Sequence, residues 1–281
     1  MGQGGWLLTQ VTVKRLWKEF GAQVVLENVN LHIDDHEFVT IVGASGCGKT
    51  TFLRMLLGVE TPSKGQFLID GEALPSEPGP DRGIVFQRYS LFPHLSVRQN
   101  LLLGLELAGS PLLGRLFGAK RRRALERADE LLDAVGLRAA ADKYPQQLSG
   151  GMQQRLSIAQ SVICEPKILL LDEPFGALDP GITADMHTLI IKLWNMNKMT
   201  IFMVTHDLQE SFELGTRLLV FDKVRIDPQA PDAFGATITF NIPLKGQRAK
   251  IPRIRGGEIP AAHPLTLQPS DLADDKPRDY S

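Results

Sequence analysis

The chain has 281 residues, 43% of them apolar, and a formal net charge of −1. That composition is ample for a buried core and gives no electrostatic basis for wrapping DNA or RNA, which takes a basic face. Two cysteines, Cys47 and Cys164, are too few for a disulfide framework and suit a reducing cytosol. The start, Met1 to Trp6, has no basic-then-apolar signal pattern. No uninterrupted apolar run approaches the roughly 18 residues that span a bilayer. The longest, Leu101 to Leu113, is broken by Glu106 and Pro111, so a membrane role must come through partner chains. In chain order, Val24 to Ile33 is β-rich, with Val29, Leu31 and Ile33 alternating with polar residues. Phe38 to Val42 is a short apolar run feeding into glycines, the pattern of a buried strand entering a loop. Thr51 to Leu57 reads as a helix that stops at Gly58. Asp70-Gly71 marks a turn after Phe67 to Ile69.

From Gln87 to about Glu165 the character is helical. Ala124 to Val135 has helical periodicity, ended by Gly136. Ser149 stands at the N-cap position before a helix over Gly150 to Val162. Lys120 to Arg123 allows an anionic-lipid contact, although a solvated helix start is the simpler reading. Ile168 to Leu171, Thr200 to Val204 and Leu218 to Phe221 read as buried strands, separated by helices around Thr183 to Trp194 and Leu208 to Leu214. Strands alternating with helices predict a parallel sheet with helices on its faces. Beyond Lys223 prolines recur. Apart from a strand pattern at Thr237 to Phe240, the remainder reads as a tail without a core of its own.

Three motifs carry chemistry. Gly43-Ala44-Ser45-Gly46-Cys47-Gly48-Lys49-Thr50, followed by Thr51, matches the P-loop pattern. Its glycines let backbone N–H groups turn toward phosphates, and the helix that follows points its positive end at the same anion. Lys49 is expected at the β- and γ-phosphates and the Thr50 hydroxyl on Mg²⁺. A chance glycine-rich turn is the alternative, but a strand before and a helix after argue against it. Cys47 is either a redox-sensitive thiol or a small space-filler. Asp172 and Glu173 end an apolar strand. Asp172 is placed to hold Mg²⁺ and Glu173 to polarise an attacking water as general base, unless they form only an acidic turn. Ser149, Gly150 and Gly151 open a helix, as an anion site or as a plain cap.

The P-loop, then Leu148-Ser149-Gly150-Gly151-Met152-Gln153-Gln154-Arg155, then Leu169-Leu170-Leu171-Asp172-Glu173-Pro174, occur in this order. From about Leu8 to about Asp222 the chain resembles the nucleotide-binding subunit of an ATP-binding-cassette (ABC) transporter. The resemblance implies an α/β fold: a P-loop NTPase (RecA-like) core, an N-terminal antiparallel β subdomain and an inserted α-helical subdomain. The ATPase domain then covers 1–225, with core 1–86 and 166–225 and helical insert 87–165. Residues 226–281 form a C-terminal tail. ATP and Mg²⁺ follow as cofactors.

The same resemblance assigns further residues. Ser149, Gly150, Gly151 and Gln153 cap the γ-phosphate held by the opposite subunit. Gln87 touches Mg²⁺ or the lytic water, and Asp179 meets the partner subunit. His206, in Val204-Thr205-His206-Asp207, is the switch histidine that bonds the γ-phosphate. Phe20 stacks on adenine; Trp17 is a rival, and core packing the bland reading of Phe20. The implied assembly is a homodimer of ATPase subunits, or a heterodimer with a related cassette, on two transmembrane permease subunits with an extracytoplasmic solute-binding protein and no nucleic acid. Its place is the cytoplasmic face of the inner membrane. The wording of the motifs resembles the nitrate/sulfonate/taurine importer group, with guanidine- or urea-like solutes also open. The alternatives are the ATPase of an exporter or lipid transporter, or a non-transport ABC ATPase.

Overall fold

Two antiparallel strands open the described part of the chain, β1 (Val11–Phe20) and β2 (Gln23–Ile33), joined through Gly21 at φ +60°. The structure is a computed structural model and describes residues 9–244, except 76, 87–89, 110–113, 177 and 231. β1 also pairs antiparallel with β4 (Lys64–Ile69), which continues into β5 (Glu72–Ala73), giving a four-stranded sheet ordered β2-β1-β4-β5. A six-stranded sheet contains β3 (Phe38–Gly43), β6 (Arg82–Val85), β7 (Ile168–Asp172), β8 (Thr200–Val204), β9 (Arg217–Asp222) and β10 (Thr237–Pro243), in the order β10-β9-β3-β8-β7-β6. All its pairs are parallel except β10 on β9.

The central strands are apolar on both faces because both faces are covered. Val39, Ile41, Ile168, Leu170, Phe202 and Val204 pack with helix α1 (Lys49–Leu57) and the antiparallel sheet. Phe38, Leu169, Leu171, Ile201 and Met203 pack on the other side, with residues of α5 (Pro180–Asn197) and of the helical insert. That insert comprises α2 (Val97–Gly109), α3 (Gly118–Ala134), two short 3₁₀ turns at Arg138–Ala140 and Pro145–Gln147, and α4 (Gly150–Val162). Helix α6 (Leu208–Leu214) follows β8.

Several boundaries move. Helix α1 begins at Lys49, two residues before the expected start, because Gly48 takes φ +85° as its cap. Helix α5 begins at Pro180, where the missing N–H costs nothing in the first turn. Strand β10 runs to Pro243, beyond the expected Phe240, and the residue before it, Ala236, is fully buried. The first turn of α3, including Lys120 to Arg123, is exposed, as a solvated helix start requires. Among the described residues no helix is long and apolar enough to cross a membrane.

Candidate functional site

The P-loop leaves β3 at Gly43 and closes on α1. Gly43, Gly46 and Gly48 all have positive φ. At Gly48 a side chain would run into Val25 and Leu26 of β2, so the loop can lie on that strand only with glycine there. Lys49 is nearly buried, and its Nζ donates to the carbonyls of Gly43 (2.8 Å) and Ala44 (2.9 Å), with the Cys47 sulfur at 3.8 Å. Cys47 lies beneath the loop. Burial pushes its thiol pKa up against the pull of Lys49, and the geometry is that of the space-filling reading.

The tip of β7 comes beside the start of α1. The Thr50 hydroxyl donates to Asp172 Oδ1 at 3.2 Å. Burial raises the Asp172 pKa; the Thr50 hydrogen bond opposes this, the Glu173 charge reinforces it and Lys49 opposes it. Two hard oxygens side by side suit Mg²⁺, which is commonly held by one or two protein oxygens plus substrate phosphates. Among the described residues no group of His, Cys, Asp and Glu forms a cage complete enough to hold a metal by itself.

Glu173 stands one residue past the strand, at φ +47°, with its N–H donating to the Val204 carbonyl at 3.0 Å. This pairing lines up the ends of β7 and β8. His206 follows β8, and its Nδ1 lies 3.8 Å from Glu173 Oε2. Phe20, 46% exposed, carries the Lys18 ammonium 4.4 Å from its ring centroid. A pocket of about 460 Å³ is lined by Phe20, Gln23, Val25, Gly43, Ser45, Gly46, Gly48, Lys49, Thr50, Thr51, Glu173 and His206. Trp17 faces a different hollow, with Lys14, Lys64 and Gly65.

The remaining expected residues are not gathered there. Ala44, Cys47 and Asp172, although they belong to the same loop and strand tip, are absent from the described lining of this pocket, as are Ser149, Gly150, Gly151, Gln153 and Asp179. Ser149 caps α4, its hydroxyl accepting from Met152 N at 3.3 Å, and Ser149 and Gly150 are exposed. Gly151 is buried against Ile182 of α5. The Gln153 amide donates to the Pro145 carbonyl at 2.9 Å, holding the turn before the cap. Asp179 is exposed at the N-cap of α5 and makes no side-chain cap bond. Gln87 lies outside the described residues. Gln23 and Val25 line the pocket without having been expected, because only the β1–β2 hairpin carries them over the P-loop.

Residues 26–176 match the profile of the family described as ABC transporter. The chain is 43% identical over 223 residues to a nitrate import ATP-binding protein of Synechocystis sp., covering 79% of this chain and 78% of that one. It is 42% identical over 223 residues to an aliphatic sulfonates import ATP-binding protein of Burkholderia ambifaria, covering 79% of this chain and 64% of the relative. A dimeric bacterial ABC transporter cassette superposes with a TM-score of 0.66 at 30% identity, over 84% of this chain and 99% of that one. A dimeric ATP-binding cassette in a post-hydrolysis state with ADP and Pi gives 0.65 at 30% identity, with the same coverage of both chains.

Proposed function

This chain belongs to the ABC transporter family, and we propose that it is the ATP-hydrolysing subunit powering import of a small polar solute of the nitrate or sulfonate kind. The observation that carries this reading is a division of parts. Lys49, Thr50, Glu173, His206 and an exposed Phe20 share one pocket, while the exposed Ser149-Gly150 helix tip stands outside it. A nucleotide held in the pocket then needs a second cassette to complete its cage, and the relatives solved as dimers support that arrangement.

Phe20 offers a ring face to the base. Backbone N–H groups of residues 44–50 cradle the phosphates. Lys49 swings from the Cys47 sulfur, the weakest of its three contacts, to a phosphate oxygen. Thr50 and Asp172 would hold Mg²⁺, which would supply positive charge to offset that of the phosphates. Glu173 takes the proton of the attacking water, and His206 beside it orients that water on the γ-phosphate. Ser149, Gly150 and Gly151 of the opposing cassette close on the γ-phosphate with a helix N-terminus, and Gln153 and Asp179 lie near that joint.

ATP thus binds the closed dimer better than the open one. Moving such an equilibrium from 1:99 to 99:1 takes about 5.5 kcal/mol of differential affinity. Loss of the γ-phosphate reopens the dimer, and the helical insert, joined to the core near Gln87, passes the motion to two permease subunits. An extracytoplasmic binding protein selects the solute, and the ATPase sits on the cytoplasmic face of the membrane through the permease.

The test is Glu173→Gln. Turnover should fall by about 10²- to 10⁴-fold, the usual worth of a general base, while ATP still binds and dimers accumulate on size-exclusion chromatography. Wild-type turnover in this variant would remove Glu173 as the base.

A further inference from the structure

A second hydrogen-bonded cluster lies behind His206, and nothing in the mechanism above uses it. Thr205 is buried at 2% exposure. Its hydroxyl donates to Glu210 Oε2 at 2.6 Å and accepts from the Asp207 N–H at 3.0 Å. The Thr205 N–H is fixed by the Ile41 carbonyl at 3.1 Å, and the Asp207 carboxylate caps α6 by accepting from Gln209 N at 2.7 Å. The two peptide units flanking His206 are therefore tied together through one hydroxyl. The orientation of that hydroxyl is set by one carboxylate.

Glu210 Oε1 faces His187 Nε2 of α5 at 3.7 Å, beyond hydrogen-bond reach, and Glu213 Oε2 takes the other ring nitrogen at 3.2 Å. His187 packs edge-on against Phe175 at 5.0 Å between centroids. A 2.6 Å bond from a buried hydroxyl to a carboxylate is of the short, charge-assisted kind. Without its acceptor the Thr205 hydroxyl is free to rotate, and the Asp207 N–H loses a fixed partner. His206, 68% exposed in its side chain, has little packing of its own to hold its place.

From this geometry we infer that Glu210 is a positioning residue for His206, acting through the Thr205 hydroxyl. The inference rests on the reading of His206 as the group that orients the attacking water. It adds a device that sets where the imidazole stands when a nucleotide arrives.

The experiment is single-turnover and steady-state ATP hydrolysis by the full-length chain. Glu210→Ala and Thr205→Val should each lower kcat by about 10- to 100-fold, the scale of an ångström-sized misplacement. KM for ATP should change far less than kcat, because His206 is one of several groups that hold the phosphates but the one that orients the water. Thr205→Ser and Glu210→Gln, which keep the hydroxyl and an acceptor oxygen, should recover most of the rate. In a His206→Ala background, Glu210→Ala and Thr205→Val should cause no further loss, since residues that act as one unit are non-additive. An equal fractional loss with and without His206, or a wild-type rate in Thr205→Val, overturns the brace while leaving the role of His206 intact. A wild-type rate in His206→Ala itself overturns the reading on which the brace rests.

Discussion

Burial holds the Asp172 carboxyl above the usual carboxylate range, with Glu173 pushing the same way and the Thr50 hydrogen bond and Lys49 pulling it down. A folded pKa above the unfolded one means that the stability present at low pH is lost as pH rises through the folded value. In the metal- and nucleotide-free protein at neutral pH, the ionised group therefore weakens the fold. Asp172→Asn keeps an acceptor oxygen for Thr50 and removes the charge. Its Tm at pH 7 should rise by about 2–4 °C, the shift of roughly 1 kcal/mol in a chain of this size. The difference should shrink as pH falls through the folded pKa, below which the native carboxyl is neutral as well, and Mg²⁺-dependent turnover should collapse. Calorimetry across pH checks this, and a lower Tm at pH 7 would mean that the ionised carboxylate stabilises the fold. Glu173 shows a related tension in its backbone. A non-glycine residue at φ +47° costs of order 1 kcal/mol or more, offset where β7 and β8 are locked in register through the Val204 carbonyl.

Among elements, the helical insert depends on a polar brace as well as on its apolar seam. Asp129 of α3 meets Arg98 of α2 at 2.9 Å and Arg138 of the following 3₁₀ turn at 2.6 Å, and Arg98 also meets Asp142 at 2.9 Å. Partial burial opposes ionisation of Asp129, but the Arg138 and Arg98 hydrogen bonds and charges hold its pKa below the usual value. The sign is therefore opposite to that of Asp172. Stability from this group is present above the unfolded pKa and is lost as pH falls through the lower, folded one. Asp129→Asn should cost about 1 kcal/mol at pH 7, after allowance for solvent at a partly exposed pair. The cost should shrink as pH falls and vanish below the folded pKa; urea midpoints followed downward from pH 7 test it. These elements also show what the sequence made legible. The strands β3, β7 and β8 are predominantly apolar because both faces are buried, so length and flanking residues were enough to find them. Strand β1 escaped individual notice for a physical reason. Its inward residues are Val11, Val13, Leu16 and Lys18, spaced unevenly because Arg15 takes φ +47° and the register shifts there. One of the four is a lysine, paired with Glu60 at 2.9 Å. The motifs expected to carry chemistry are local in sequence, as are Thr205 and Glu210, whereas Gln23, Val25 and His187 reach these groups only through tertiary folding.

At the scale of the whole molecule, the segment after Lys223 is tied to the nucleotide pocket. Strand β10 closes the six-stranded sheet, and the residues before it fold back along β2. Val24 N–H donates to the Asp232 carbonyl, Glu27 N–H to the Ala236 carbonyl, and Ala236 N–H to the Val25 carbonyl, each at 2.9 Å. A Cβ on Gly235 would meet the Leu26 backbone, so the two chains run as close as glycine allows. Arg225 pairs with Glu27 on the same strand and stacks on Phe234 at 4.3 Å. Val25 and Leu26 in turn occupy the space beside Gly48 of the P-loop. Residues 232–236 thus brace, from behind, the strand on which the phosphate loop rests. A chain ending at Lys223 should lose the ladder of the seven-residue β10, which at about 0.5 kcal/mol for each hydrogen bond is on the order of 3 kcal/mol. Its Tm should fall by about 10 °C, and its affinity for ATP should fall with it, since the floor beneath Gly48 is loosened. A chain ending at Arg248 keeps every one of these contacts and should melt higher and bind ATP more tightly than the shorter chain. Thermal melts and nucleotide titrations of the two truncations separate the outcomes. Unchanged nucleotide affinity in the folded, shorter chain would show that β2 holds the phosphate loop without help from the C-terminal segment.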